Sequence, residues 1–196
     1  MRQVMKIVKD LQPGYPKISF HLYSGNADDV TERLDKGLLD FGLLIQPADL
    51  SKYNYLNLPV KDVWGLIMKK DSPLARKKSV RPSDLIGLPL IISRQAIKQT
   101  LARNEFTDWF GDTFEKLNII ATINLIFNAT LMVKEGVGYA FALDNLVTID
   151  SRSDLCFRPL EPRLEAGISI VWKKHQVFSP PAHLFQRELE ARFLTG

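Results

Sequence analysis

Leu34-Asp35-Lys36-Gly37-Leu38-Leu39-Asp40-Phe41-Gly42-Leu43-Leu44-Ile45 is the stretch on which the fold turns. Its first half closes a helical pattern, and its second half is an almost unbroken apolar run. Gly37 stands where a helix needs a left-handed cap, a conformation glycine reaches without a Cβ clash. Residues 41–45 have the pattern of a strand buried on both faces in a parallel sheet. Just upstream, a helix over 27–36 puts Val30 and Leu34 on one face. Asn26 is placed to cap it, because a short side-chain oxygen satisfies an orphan first-turn N–H. Before that, Ile18, Phe20 and Leu22 alternate with Ser19 and His21, which predicts a strand. Val4, Met5, Ile7, Val8 and Leu11 are spaced as a helix over 2–11, stopped by Pro13-Gly14-Tyr15-Pro16. Helix, strand, helix, strand is the order of an α/β sheet.

Downstream, residues 55–60 and 63–68 read as two further strands. A basic connector follows, with Lys69, Lys70, Arg76, Lys77, Lys78 and Arg81 around Pro73 and before Pro82. Residues 84–87 read as a short helical turn and 89–92 as a strand. Within 96–117 a helix offers Leu101, Phe106, Trp109, Phe110 and Phe114 to a core. A strand over 119–124, a helix over 127–134, a Glu135-Gly136-Val137-Gly138 turn and a strand over 139–143 complete a self-contained series. Residues 155–157 and 167–172 read as strands. Ser179-Pro180-Pro181 then opens a helix carrying Leu184, Phe185, Leu189 and Phe193; proline is tolerated in a first helical turn. The expected division is a discontinuous lobe of 1–70 plus 165–196 and a second lobe of 71–164. The fold class is thus α/β, with two Rossmann-like lobes joined by two crossover segments.

The composition bounds the function. At 45% hydrophobic and 24% charged, 196 residues bury an ordinary core. The one cysteine, Cys156, forms no internal disulfide and lies in the apolar run Leu155-Cys156-Phe157, so it reads as a small buried hydrophobe. No run reaches the ~18 apolar residues of a membrane span, and the N-terminus lacks a signal peptide's apolar core and cleavage site. The net charge of +4 permits contact with phosphates. The basic connector has no interleaved aromatics for stacking on bases, and it reads as a solvated segment. His21, His175 and His183 lack metal-ligand spacing. Gly136-Val137-Gly138 lacks a third glycine and precedes a strand, so it is not a dinucleotide turn. Asp28 and Asp29 complement a helix dipole better than they form an acid–base pair. We therefore expect no enzyme activity, no cofactor and no metal site.

Leu34, Gly37, Asp40 and Gly42 resemble the leucine, glycine, aspartate pattern of LysR-type transcription regulators, where it ends the second helix of the effector-sensing domain. Ser72-Pro73-Leu74-Ala75, Asp84-Leu85, Gly87 and Pro89-Leu90-Ile91 resemble the entry to that domain's second lobe. Val133, Gly136 and Gly138 leading into Tyr139-Ala140-Phe141 resemble its helix-to-strand turn. Ile168-Ser169-Ile170-Val171, Trp172-Lys173-Lys174 and the closing helix resemble the return to the first lobe. The likeness covers essentially the whole chain. It implies a type 2 periplasmic-binding-protein-like fold, a small-molecule effector in an interlobe cleft, and a homodimer or homotetramer. It also implies a cytoplasmic location, no membrane partner, and DNA contact only through an N-terminal helix-turn-helix module absent here. Two departures stand out. The family opens this domain with a β-strand ahead of the helix near Met1, and the chain lacks it, as a trimmed fragment would. Family members often carry proline near Leu143, and this chain does not.

For the effector site, the expected residues are Ser24, Gly25, Asn26, Gln46, Ser93, Arg94, Asn124, Phe127 and Asn128, all at the ends of strands or the starts of helices. Helix N–H groups near Asn26 favour an anion, and an organic anion is the effector class considered; Asn26 is equally a plain cap. Arg94 is either a bidentate partner for a carboxylate or a solvated loop charge. Gln46 is a cleft or a loop residue, and Phe127 a cleft wall or a core aromatic. An exported solute-binding protein of a transport system is the alternative reading.

Overall fold

The computed structural model describes residues 1–98 and 105–194. They form two compact units, Met1–Lys61 with Gly167–Gly196, and Asp62–Ala166. The sequence reading divides the chain at 70/71 and 164/165 instead. The difference arises because residues 55–60 and 63–68 are one strand: β2 runs unbroken over Tyr53–Lys69, and Lys61-Asp62 at its middle makes no turn.

The first unit holds helix α1 (Arg2–Leu11), helix α2 (Ala27–Asp35), strand β1 (Gly42–Ile45), the first half of β2, most of β7 (Glu165–Lys173) and helix α6 (Pro180–Phe193). The sheet order is β1-β7-β2. Alternation along the strands splits the core between two faces. Ile168, Ile170, Trp172, Leu56 and Leu58 pack with Val4, Ile7 and Leu11 of α1 and with Phe185 and Leu189 of α6. Val171, Leu44 and Tyr53 pack with Val30 and Leu34 of α2. Leu34 is fully buried, which stabilises by about 1.5–3 kcal/mol. α2 is capped at both ends. The Asp29 amide donates to Asn26 Oδ1 at 2.9 Å and the Asn26 amide to Asp29 Oδ2 at 3.1 Å. Gly37 has φ +69°, and the Leu38 amide closes back onto the Arg33 carbonyl at 2.8 Å.

Two expectations fail here. Residues 41–45 were expected in a parallel sheet, whereas β1 pairs antiparallel with β7, Leu44 opposite Ser169. A continuous apolar run reports burial but carries no direction, and Ile45 is in fact 37% exposed. The run Ile18, Phe20, Leu22 forms no strand and joins no ladder. Alternation signals a half-buried surface, and a strand also needs a neighbour to pair with. This segment is held by side chains instead: Phe20 meets Phe185 edge-on at 5.9 Å, and the Arg33 guanidinium lies 4.0 Å over the Tyr23 ring.

Tyr53 is buried and donates to Asp35 Oδ1 at 2.8 Å. Burial, and then the hydrogen bond to Asp35, push its phenol up to about 12. A phenol whose folded pKa exceeds its unfolded value near 10 stabilises the fold fully below that value. The contribution is then lost as pH rises from about 10 to about 12. Tyr53→Phe is accordingly expected to cost about 1 kcal/mol at neutral pH. It should also flatten the alkaline limb of a denaturant-midpoint profile between pH 9.5 and 11.5.

The second unit contains the rest of β2, then β3 (Pro89–Ser93), helix α3 (Arg94–Lys98), helix α4 (Glu105–Phe110), β4 (Asn118–Ile123), helix α5 (Ile126–Lys134), β5 (Tyr139–Leu143) and β6 (Leu155–Pro159). β3 is parallel to both β4 and β5, while β2 is antiparallel to β5 and β6. One face buries Leu66, Met68, Leu90, Ile92, Phe106, Phe110 and Phe141, and the other buries Ile67, Ile91, Ala129, Val133 and Ala140. Of the helix expected within 96–117, the described residues hold α3 over Arg94–Lys98, α4 over Glu105–Phe110 and a 3₁₀ turn over Gly111–Lys116. Leu101 lies outside the described residues. The turn expected at 84–87 is a 3₁₀ turn over Pro82–Leu85, where Pro82 takes the first position. The basic connector is tied down. Lys77 pairs with Asp84 at 2.5 Å, Arg81 with Glu161 at 3.1 Å, and Lys70 donates to the Ser151 carbonyl at 3.0 Å. Cys156 is buried, and that burial pushes its thiol pKa up, away from reactivity.

Candidate functional site

In the second unit the parallel register decides the geometry. Ser93 pairs with Ile123, so β3 and β4 end together. Ser93 and Arg94 leave one strand and Asn124 leaves its neighbour at the same edge, where α/β sheets take up ligands. α5 starts directly beyond, with Leu125 at its N-cap and no side chain closing its first-turn N–H groups. Arg94, Asn124 and Asn128 are exposed and Ser93 is half-buried. The register puts Ser93 and Asn124 at neighbouring strand ends, with Arg94 opening α3 and Asn128 in the first turn of α5. All of these present donors, which is the chemistry that receives an anion. Phe127 is on the first turn of α5 and is 68% exposed.

The first unit holds the other four expected residues. Ser24 is exposed ahead of α2. Gly25 is required by close approach, since a Cβ there would stand 2.9 Å from both the Asp29 Cβ and the Tyr23 ring. Asn26 has its Oδ1 committed to the capping box, and Asp28 and Asp29 put two carboxylates in the first turn. Those charges oppose an anion at this helix end. Gln46 is also committed: its Nε2 donates to Ser169 Oγ at 2.8 Å, and its Oε1 accepts from the Ala48 amide at 3.0 Å. Sequence reasoning passed over Ser169 and Asn57, which complete that chain. The available signal was one hydroxyl inside the apolar run Ile168–Trp172.

Each unit also has a cavity of its own, and neither is lined by the expected residues. One, of about 530 Å³, lies among Arg81, Ser83, Phe110, Thr113, Glu161 and Pro162. Glu161 there is already engaged by Ser79 and Arg81. The other, of about 430 Å³, lies among Asn54, Trp172, His175, Gln176, Phe178 and His183. Among the described residues no cluster of three His, Cys, Asp or Glu side chains could hold a metal ion. No helix among them is long and apolar enough to cross a membrane.

The family model for the LysR substrate binding domain matches residues 2–194. The chain belongs to that family. Among curated relatives it is 24% identical over 181 residues to the HTH-type transcriptional regulator YvbU of Bacillus subtilis (strain 168), covering 92% of this chain and 59% of the relative. YybE of the same organism is 26% identical over 196 residues, at 97% and 63%. The HTH-type transcriptional activator CmpR of Synechocystis sp. is 26% identical over 152 residues, at 73% and 48%. The chain thus spans about half to three fifths of the length of these relatives. The fold is the type 2 periplasmic-binding-protein-like fold of LysR effector-binding domains. The effector binding domain of QuiR, solved with shikimate, matches with a TM-score of 0.79 at 16% identity, over 98% of this chain and 90% of that one. The CcmR regulatory domain of Synechocystis PCC6803, solved with 2-PG, matches at 0.77 and 16%, over 98% and 91%.

Proposed function

We propose that this chain is the effector-sensing domain of a LysR-type transcription regulator and that its effector is a small organic anion. The observation that carries the reading is the donor group at the joint end of β3 and β4: Ser93, Arg94, Asn124 and Asn128 beside the uncapped start of α5. Arg94 is the principal charge, and the α5 amides add a dipole contribution. The α2 start, with Ser24, Gly25 and Asn26, is the weaker candidate group because Asp28 and Asp29 already fill its dipole. The solved relatives named with shikimate and 2-PG, both anionic, agree in ligand class. In the cell such a domain acts within a longer cytoplasmic regulator, whose helix-turn-helix module contacts DNA. Effector binding favours one conformational state over another and biases that module. A solute-binding role in transport has no separate observation in its favour.

The test is a thermal-shift screen of organic anions, beginning with shikimate and 2-PG. A ligand at ~100 times its Kd stabilises by about 2.7 kcal/mol, a rise of about 5–10 °C for a domain of this size. Arg94→Ala is expected to weaken the responding anion ~10–100-fold, the loss of a charge-assisted bidentate contact. Asn26→Ala should chiefly cost ~1 kcal/mol of stability through the lost cap. No response to any anion, or an undiminished affinity in the Arg94→Ala, Asn26→Ala double variant, refutes the assignment.

The same family reading implies a homodimer, and α5 supplies a surface for it. Phe127, 68% exposed, and Leu131, 46% exposed, lie one turn apart, with Leu125 preceding them. Large apolar side chains in a row mark an interaction face more often than solvent-facing surface. We assign Phe127 to this contact and not to the effector.

A further inference from the structure

Between β7 and α6 the chain holds two costly features side by side. Among the described residues only His175 combines a side chain with a positive φ, +60°. That conformation is uncommon for an L-residue, and such outliers gather at ligand clamps. The next residue, Gln176, has its Oε1 buried with no hydrogen-bond partner among the described residues. A buried acceptor left unpaired has given up water and gained nothing in return. Both residues line the first unit's cavity of about 430 Å³, a size within the range of small-molecule sites.

The walls of that cavity set which chemistry can answer the acceptor. Trp172 and Phe178 supply aromatic surface. Phe178 stacks on Phe41 at 4.9 Å with the ring planes 17° apart, and Trp172 meets the same ring edge-on at 6.1 Å. The carboxamides of Asn54, Gln176 and Gln186 line the cavity too. Gln186 Nε2 already donates to Glu190 Oε1 at 2.8 Å, which leaves its own oxygen as a second acceptor. No carboxylate is among the described lining residues, so a cation finds no counter-charge here. Lys173 Nζ donates to the Asp35 carbonyl at 2.9 Å, so an anion is not matched either. Acceptor oxygens beside aromatic rings, with no free charge, suit a neutral flat ligand that carries N–H groups on its edge.

We propose that this cavity is a second ligand site and that its ligand is a neutral amino-heterocycle of the aminopurine or aminopyrimidine class. The exocyclic N–H donates to Gln176 Oε1, and the ring lies against Trp172 and Phe178. The ring nitrogens meet His175 and His183, whose neutral imidazoles both donate and accept. Carboxamides and aromatic rings are the groups with which proteins pair and stack the edges and faces of free bases. The site lies wholly within the first unit, whereas the strand-end donors Ser93, Arg94, Asn124 and Asn128 belong to the second. It therefore stands or falls apart from the effector assignment.

Adenine and cytosine are the probes, titrated into the isotope-labelled chain and followed by NMR. The backbone amides of Gln176, Phe178, His183 and Gln186 are expected to shift, while those of Ser93, Arg94, Asn124 and Asn128 stay in place. The dimethylamino analogue of adenine, which lacks the exocyclic N–H, should bind ~10-fold more weakly than adenine. Gln176→Leu should weaken adenine as much without lowering the melting temperature, since it also removes the unpaired oxygen. A Gln176 that serves packing alone would lower the melting temperature and leave affinity unchanged. His183→Ala, at an exposed position on the same wall, should weaken adenine ~3-fold or more, and it serves if Gln176→Leu does not fold. Shifts centred on the strand-end donors, tighter binding of benzoate or benzamidine than of adenine, no shift with either base, or undiminished affinity in both variants overturns the proposal.

Discussion

Gly65→Ala is expected to lower stability by about 3 kcal/mol, a fall of roughly 6–12 °C in Tm for a domain of this length. Gly65 lies in β2 opposite Pro159 of β6. A Cβ there would stand 2.1 Å from Phe157 Cζ and 2.5 Å from the Arg158 carbonyl oxygen. The ring can be displaced, but the carbonyl belongs to a paired strand and moves only with the ladder. A double-variant cycle separates the two contributions. Phe157→Ala should restore part of the loss in a Gly65→Ala background, and the remainder reports backbone crowding. Gly14→Ala, where the added Cβ meets only a carbonyl at 3.9 Å, should stay within about 0.5 kcal/mol of the parent. A Gly65→Ala protein as stable as the parent in urea would show that β2 and β6 do not approach as described.

The elements that were legible in the sequence are those whose determinants are local. α2 carries its cap, its apolar stripe and its C-terminal glycine within twelve residues, Asn26 to Gly37, and all three act as the residues predict. Burial was legible too: Leu44, Leu90, Ile91 and Ile92 are core residues as their runs imply. Pairing was not, because the partner of a strand lies far along the chain. Nothing within 41–45 reveals that its neighbour is 168–171, running the other way. Nothing in the alternation of Ile18, Phe20 and Leu22 reveals that no ladder forms there. The unbroken β2 was missed because Lys61-Asp62 reads as a polar gap, while both residues are compatible with extended backbone. The candidate site divides along the same line. That Ser93, Arg94 and Asn124 stand at strand ends is local. That β3 and β4 end in register is not, and only that register makes them neighbours. Gln46 illustrates the converse. Its position at a strand end left open a cleft or a loop role, and a serine 123 residues further on holds its carboxamide.

Leu131→Asp should dissociate the homodimer proposed for this domain, raising its dissociation constant at least ~100-fold, and Phe127→Asp should do the same. The side chains are 46% and 68% exposed on one stripe of α5, whose opposite side buries Ala129 and Val133 in the core. Neither side chain belongs to the buried core of the unit, and the fold should survive both substitutions. Covering one such side chain gains about 1.5–3 kcal/mol, and a two-fold contact counts each residue twice. A carboxylate placed there must also be desolvated in the contact, which adds to the loss. Sedimentation at concentrations spanning the parent's dissociation constant reads the shift directly. Leu131 matters more as a diagnostic, because it lies a turn beyond the strand-end donors while Phe127 adjoins them. If Leu131→Asp leaves the protein dimeric and instead weakens the responding anion, α5 belongs to the effector site and the dimer forms through some other face.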